Sequence, residues 1–238
     1  MLQRRISTES ASPDLADALD KMGQDPQWVS DLRSVSPGKR ALQNDLNKRI
    51  AWRHLQTIMA ARIAVFKLFL KLAIKVDGKL SEKHKRIWLL FQSDSLSPKR
   101  TRHPFLWVVN KCLPNASPRA LNILVDRLHD IREEYFPGSN FIIGLDEAQQ
   151  AARLYHHSFI SSTNSKRCRS IVREIAQVFG DPEIDLVVSG TSLPMEELRE
   201  AIASGVSKDD LFVFHDLGMF DTWEKLQPFL QRYVPASF

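Results

Sequence analysis

Phe141-Ile142-Ile143-Gly144-Leu145-Asp146-Glu147 is a short apolar run that closes on two acids. A run of this length without polar interruption suits a strand buried on both faces, the situation of strands in a parallel sheet. Pro137-Gly138-Ser139 turns the chain into it, and helix formers lead out of it from Glu147 to about Tyr155. Two later runs have the same form. Asp185-Leu186-Val187-Val188-Ser189-Gly190-Thr191 is the second, and Leu211-Phe212-Val213-Phe214-His215 is the third. Helices are expected between and after them, over residues 168–179, 194–203 and 222–233, the first stopped by Gly180-Asp181-Pro182. Strands separated by helices pair in parallel through right-handed crossovers. Residues 137–238 are therefore expected to form an α/β region, a small parallel sheet with flanking helices.

Working back toward the N-terminus, the pattern becomes helical. Ser117-Pro118 opens a helix that reaches about Tyr135, with Leu121, Ile123, Leu124 and Leu128 as its stripe. Residues 105–113 are apolar and fit either a helix or a strand, and residues 93–104 form a basic loop. Another helix is expected over residues 80–91, begun at Ser81. From Ala41 to Val76 helix formers dominate without Pro or Gly, and Asp77-Gly78 ends them. Leu42, Leu46, Ile50, His54, Ile58, Ile63, Phe66, Leu70 and Ile74 make the buried stripe there. Ser36-Pro37-Gly38 reads as a turn before that helix. A short helix follows Ser12-Pro13, with Leu15, Leu19 and Met22 on one side, and residues 1–12 are expected to be unstructured. Three segments result: 1–40 poorly ordered or in a short helix, 41–136 basic and helical, 137–238 α/β.

Composition sets the outer limits. Of 238 residues 43% are hydrophobic and 26% charged, an ordinary globular balance that excludes whole-chain disorder. Cys112 and Cys168 are the only cysteines, too few for a disulfide framework or a four-thiolate zinc site. The net charge of +5 is unevenly spread. Residues 1–140 carry 24 Lys+Arg against 14 Asp+Glu, and residues 141–238 carry 9 against 14. A basic half can attract nucleic acid or another acidic partner, though a solvated helical surface has the same composition. No aromatic–basic platform is evident in the sequence, so weak, sequence-independent nucleic-acid binding or none is expected. The basic Met1–Arg5 start lacks an apolar run behind it, and Arg62, Lys67, Lys71 and Lys75 interrupt the apolar stretch 60–76. These features predict an intracellular protein, cytoplasmic or nuclear, without a membrane partner.

The chemistry sits at the strand ends. Ligands of open α/β sheets bind at the carboxyl ends of the strands. A carboxylate there can hold Mg²⁺, and a second beside it can orient or deprotonate an attacking water. Asp146 is accordingly the candidate metal residue and Glu147 the candidate catalytic base. The bland alternative is a helix whose first turn carries acids that favour its positive end. Ser189 and Thr191, small polar residues at the end of the second run, are further candidates, or they simply close a strand at a tight glycine turn. Cys168 lies among Lys166, Arg167 and Arg169, which would lower a thiol pKa, but no partner His is near in sequence, so a bystander thiol is expected over a reactive one. His156-His157 does not have ligand spacing on a helix.

Several pieces in order resemble a known family: 141–152 (FIIGLDEAQQAA), 158–162 (SFISS), 169–175 (RSIVREI), 187–193 (VVSGTSL) and 218–235 (GMFDTWEKLQPFLQRYVP). They are similar to the fungal P-loop NTPase-like proteins described as Crinkler-like or retrotransposon-hot-spot-like. Ile50-Ala51-Trp52-Arg53 and Trp88-Leu89-Leu90-Phe91-Gln92 fit as well, so the resemblance spans roughly residues 40–238. It implies that Asp146 and Glu147 are the Walker B pair, that Ser189 or Thr191 is a sensor, and that Arg169 is a phosphate-facing or finger arginine. Arg169 also reads as a surface arginine at a helix start. The family's phosphate cradle, G-x-x-x-x-G-K-S/T after a first strand, has no match in these residues. The nearest text, Ser36-Pro37-Gly38-Lys39-Arg40, lacks the second glycine, the hydroxyl residue and a preceding strand. The resemblance is thus to the C-terminal portion of such a protein. It implies Mg²⁺ and ATP only if the missing loop is supplied, and otherwise no cofactor. It also implies a depleted sheet of about three or four strands, with residues 105–109 available to fill a gap.

Overall fold

A 41-residue helix, α2 (Pro37–Asp77), is the spine around which the other elements are arranged. The computed structural model describes residues 13–92, 103–139, 141–145, 148–161, 167–180 and 184–188, together with Glu224. The chain divides into two compact units, Met1–Gly205 and Val206–Phe238, the second of which lies, apart from Glu224, outside the described residues. In the first unit α2 is preceded by α1 (Pro13–Gln24) and followed by α3 (Glu82–Gln92), α4 (Pro104–Trp107) and α5 (Pro118–Tyr135). Then come β1 (Phe141–Leu145), α6 (Ala148–Leu154), β2 (Phe159–Ile160), β3 (Cys168–Arg169), α7 (Val172–Phe179) and β4 (Ile184–Val188). The architecture is predominantly helical with a small parallel sheet and flanking helices.

The ends of α2 follow from its sequence. The Ser36-Pro37-Gly38 turn is in fact the helix start: Ser36 occupies the cap position and Pro37 the first helical one. Proline is tolerated there because its missing N–H would have no helical partner. Gly78 adopts φ 74° and donates its N–H to the Ile74 carbonyl at 2.8 Å, closing the helix in the left-handed conformation. At 1.5 Å per residue the helix is about 60 Å long.

Its burial is broader than one stripe. Ile50, Ile58, Ile63 and Leu70 are buried as the periodicity predicts, but so are Ala51, Leu55, Met59, Ala60 and Ala61. The middle of α2 is packed on several sides, by α1, α4, α5, α7 and β2. Leu42 lies before that crowded stretch and is 70% exposed. Two asparagines lock the spine to its neighbours. Asn47 donates to the Val29 and Ser158 carbonyls, both at 2.7 Å, and accepts from the Val29 N–H at 3.2 Å. Asn44 accepts the Ile160 N–H at 2.8 Å. Asp14, buried in the first turn of α1, takes two 2.8 Å bonds from the Arg62 guanidinium. One buried cluster draws on Leu19, Ile50, Leu145 and Ile175, and so on all three sequence segments.

Residues 105–113 resolve as helix: α4 runs into a π-helical turn, Val108–Cys112. Residues 105–109 therefore fill no place in the sheet. α5 begins as read, with Ser117 Oγ accepting the Ala120 N–H at 3.2 Å. Its buried side is Leu121 and Ile131, with Ile123 turned outward.

β1 and β4 pair in parallel, in register from Phe141–Ile184 to Leu145–Val188. The parallel pairing agrees with the sequence. The burial does not: Ile142 is 72% exposed, and Val187 on the same face is half exposed. Burial alternates along β1, so the strand covers a core on one side only. Among the described residues this sheet has two strands. Phe141 anchors it, meeting Phe66 of α2 and Phe136 after α5 edge-on, each at 5.8 Å.

The expected helix over residues 168–179 is shorter. It starts at Val172, and Cys168–Arg169 instead pairs antiparallel with Phe159–Ile160. Two-residue strands leave no periodic trace in a sequence, and the neighbouring helix pattern absorbed them. Gly180 ends α7, its N–H donating to the Ala176 carbonyl at 2.8 Å. A Cβ there would stand 2.5 Å from that oxygen. The expected helices over 194–203 and 222–233 and the strand over 211–215 lie outside the described residues, as do residues 1–12 and 93–102.

Candidate functional site

Two places are candidates for a site. The first is the carboxyl edge of the β1–β4 pair. Both strands end on paired residues, Leu145 and Val188. Asp146-Glu147 follows the first strand in sequence and Ser189-Gly190-Thr191 follows the second. Asp146, Glu147, Ser189 and Thr191 themselves lie outside the described residues. What the fold contributes is the coincidence of the two strand ends, fixed by parallel register and by the packing of α7 against β4 and α2. Among the described residues no group of three or more His, Cys, Asp or Glu gathers where it could hold a metal ion.

The second place is built on Arg169. This residue is 5% exposed, so it is not a surface arginine at a helix start. It sits on β3, where the hairpin delivers its side chain under α7. Its Nε donates to the Ile160 carbonyl at 3.1 Å and Nη1 to the Ser170 carbonyl at 3.2 Å. Nη2 bonds to Glu174 Oε1, and the guanidinium lies 5.2 Å from the centre of the Phe159 ring. All three of its nitrogens are thus engaged within the protein. Glu174 is fully buried, and its second oxygen accepts the Trp52 indole N–H at 2.6 Å. A buried carboxylate requires such partners, because an unpaired charge away from water is strongly disfavoured.

This Arg169–Glu174–Trp52 unit forms the floor of a cleft of about 240 Å³ between α2 and α7. On the α2 side Lys48 and Arg49 stand one turn before Trp52, on the same face of the helix. On the α7 side are Arg173 and Gln177. Among the described residues four cations thus line the cleft against one carboxylate. The sequence displays no aromatic–basic platform, and the fold sets Lys48, Arg49 and Trp52 beside Arg169 and Arg173 from far along the chain. Trp52 and Arg169 each stood in quoted motifs, but nothing local signalled that they meet.

Other titratable groups have plainer roles. Burial pushes the Cys168 thiol up, and Asp31 adds to this while Arg40 and Arg33 pull the other way. The thiol is thus raised rather than lowered, as suits a bystander, and the arginines that oppose burial are Arg40 and Arg33 rather than the sequence neighbours. Burial and the neighbouring Arg53 lower the His54 pKa. The rings of His156 and His157 lie 4.2 Å apart, centre to centre. No helix among the described residues is long and apolar enough to cross a membrane.

Compared with protein-family models, with curated proteins and with solved structures, the chain matches none.

Proposed function

We propose that this chain is a degenerate or truncated P-loop NTPase-like protein that does not hydrolyse ATP by itself. The observation that supports it is the in-register parallel pairing of β1 and β4, whose ends coincide. The acidic pair Asp146-Glu147 and the Ser189-Gly190-Thr191 segment each follow directly on one of those ends. An NTPase needs this neighbourhood between a metal-holding carboxylate and a polar group near the terminal phosphate. In this reading Asp146 is the metal residue, Glu147 the base, and Ser189 or Thr191 the sensor. The residues that would cradle phosphate are not in the sequence, so the chain's own groups do not fit bound ATP and no hydrolytic step is assigned to them. Phosphoryl transfer is catalysed mainly by positioning and electrostatics, and without the cradle turnover is lost. Arg169 is not given a finger role, because its nitrogens already serve Glu174 and two backbone carbonyls.

The test is magnesium-dependent ATP hydrolysis by the purified chain beside its Asp146→Asn variant. Equal, background rates are expected. Robust turnover that disappears in Glu147→Gln would overturn the reading in favour of an intact enzyme. The nucleotide-independent alternative, a protein- or nucleic-acid-interaction module using the basic helical half, draws its support from the cations of the α2–α7 cleft.

A further inference from the structure

The α2–α7 cleft has a fixed floor and a positive rim. Among the described residues Glu174 is the only acidic one in its lining, and that carboxylate is already matched by Arg169 and by the Trp52 N–H. The charge left over on the α2 side is that of Lys48 and Arg49. Lys48 and Arg49 form no ion pair among the described residues. An excess of cations above a wall of low polarity attracts an anion more strongly than the same charges scattered over a flat surface.

Trp52 narrows the kind of anion. It is 37% exposed although it is the largest apolar side chain in the cleft. Its N–H is held by Glu174, so the ring cannot swing freely and cannot donate to a ligand. What it offers is an ordered aromatic face one helical turn from two cations. Stacking on such a face is favourable for any base, because every base has a π-surface. A sulfate or a simple carboxylate would satisfy the cations and leave the indole unused.

We propose that this cleft binds a nucleoside phosphate, with the phosphate on Lys48 and Arg49, facing Arg173, and the base against the Trp52 indole. The phosphate can belong to a free nucleotide or to a single strand of nucleic acid, since the chemistry offered is the same. The proposal does not rest on the sheet-edge reading above, and it calls for no metal ion.

The experiment uses the full chain without magnesium, at about 50 mM salt, where phosphate contacts are strongest. The probes are a fluorescently labelled oligo-dT strand, followed by anisotropy, and AMP as competitor and as a direct calorimetric ligand. Lys48→Ala/Arg49→Ala on the cleft rim is expected to weaken binding about tenfold and to flatten its salt dependence. Trp52→Leu is expected to weaken it at least about fivefold, while Trp52→Phe, which keeps a ring, loses less. Lys83→Ala/Lys85→Ala, exposed on α3 and outside the cleft lining, removes as much positive charge and is expected to bind as the unaltered chain does. Should Trp52→Leu fail to fold, the Lys48→Ala/Arg49→Ala variant still decides the matter. Binding of both AMP and the strand identifies a free-nucleotide site, and binding of the strand alone identifies a single-strand site. Either supports the cleft. Absence of binding by both probes, binding by the Lys48→Ala/Arg49→Ala variant equal to that of the unaltered chain, or an equal loss in Lys83→Ala/Lys85→Ala would overturn it.

Discussion

Tyr155 illustrates how single residues fix this fold. Its ring meets Trp28 edge-on at 4.9 Å, and its hydroxyl donates to the Leu19 carbonyl in α1. Burial, helped by the nearby Asp20 carboxylate, pushes the phenol up to about 12 from its ordinary value of 10. The folded state therefore holds the proton over a range where the unfolded chain releases it. The stabilisation is complete below pH 10 and is lost as the pH rises through 12. It amounts to about 3 kcal/mol. Urea unfolding between pH 9 and 12 should show stability falling with pH, and Tyr155→Phe should remove that part of the slope. An unchanged slope in the variant would mean the phenol titrates normally. None of this could be read locally: Tyr155 closes a predicted helix, and its partner lies 136 residues away. Asn47 is similar. A polar residue inside a helix stripe looks like a surface position, and only the fold reveals that it joins Val29 to Ser158.

At the scale of elements, the sequence was most legible where it carried punctuation. Asp77-Gly78 ends α2 and Ser117-Pro118 begins α5 because a left-handed glycine and a capping serine have local causes. Residues 105–113 were ambiguous because an apolar run lacks period information, and β2 and β3 were missed because two residues have no period at all. The two glycines of α2 allow a test with opposite signs. Gly38 lies in the first helical turn with open space where a Cβ would stand. Gly38→Ala should stabilise the protein by about 0.5–1 kcal/mol, since it narrows the unfolded ensemble. Gly78 also has open space, but its φ of 74° strains any other side chain. Gly78→Ala should destabilise by about 1–2 kcal/mol. Thermal melts of the two variants measure both, and equal shifts would mean that the helix does not end as described.

For the whole molecule, the division between what could be read and what could not follows chain distance. The basic half, the acidic half and the strand–helix alternation are local properties, and the parallel β1–β4 pairing follows from them. The cleft does not. It joins Lys48, Arg49 and Trp52 on the spine to residues after position 168, and the buried Arg169–Glu174 pair that forms its floor exists only once β3 has been placed. One-sided exposure of β1 was equally hidden, because an apolar strand sequence does not state how many layers cover it.

The functional reading depends on β1 and β4 ending side by side, and cross-linking tests that directly. Ile142 and Asp185 are register partners on the exposed face of the pair. Adjacent strands lie about 5 Å apart, within the span of roughly 4.4–6.8 Å that a disulfide bridges. In a chain with Cys112→Ser and Cys168→Ser, the added pair Ile142→Cys/Asp185→Cys should oxidise readily to an intramolecular disulfide, read by mass spectrometry. The offset pair Ile142→Cys/Val187→Cys, about 7–8 Å apart, should do so far more slowly. Failure of the first pair, or equal oxidation of both, would contradict the shared strand edge and with it the site built on Asp146 and Ser189.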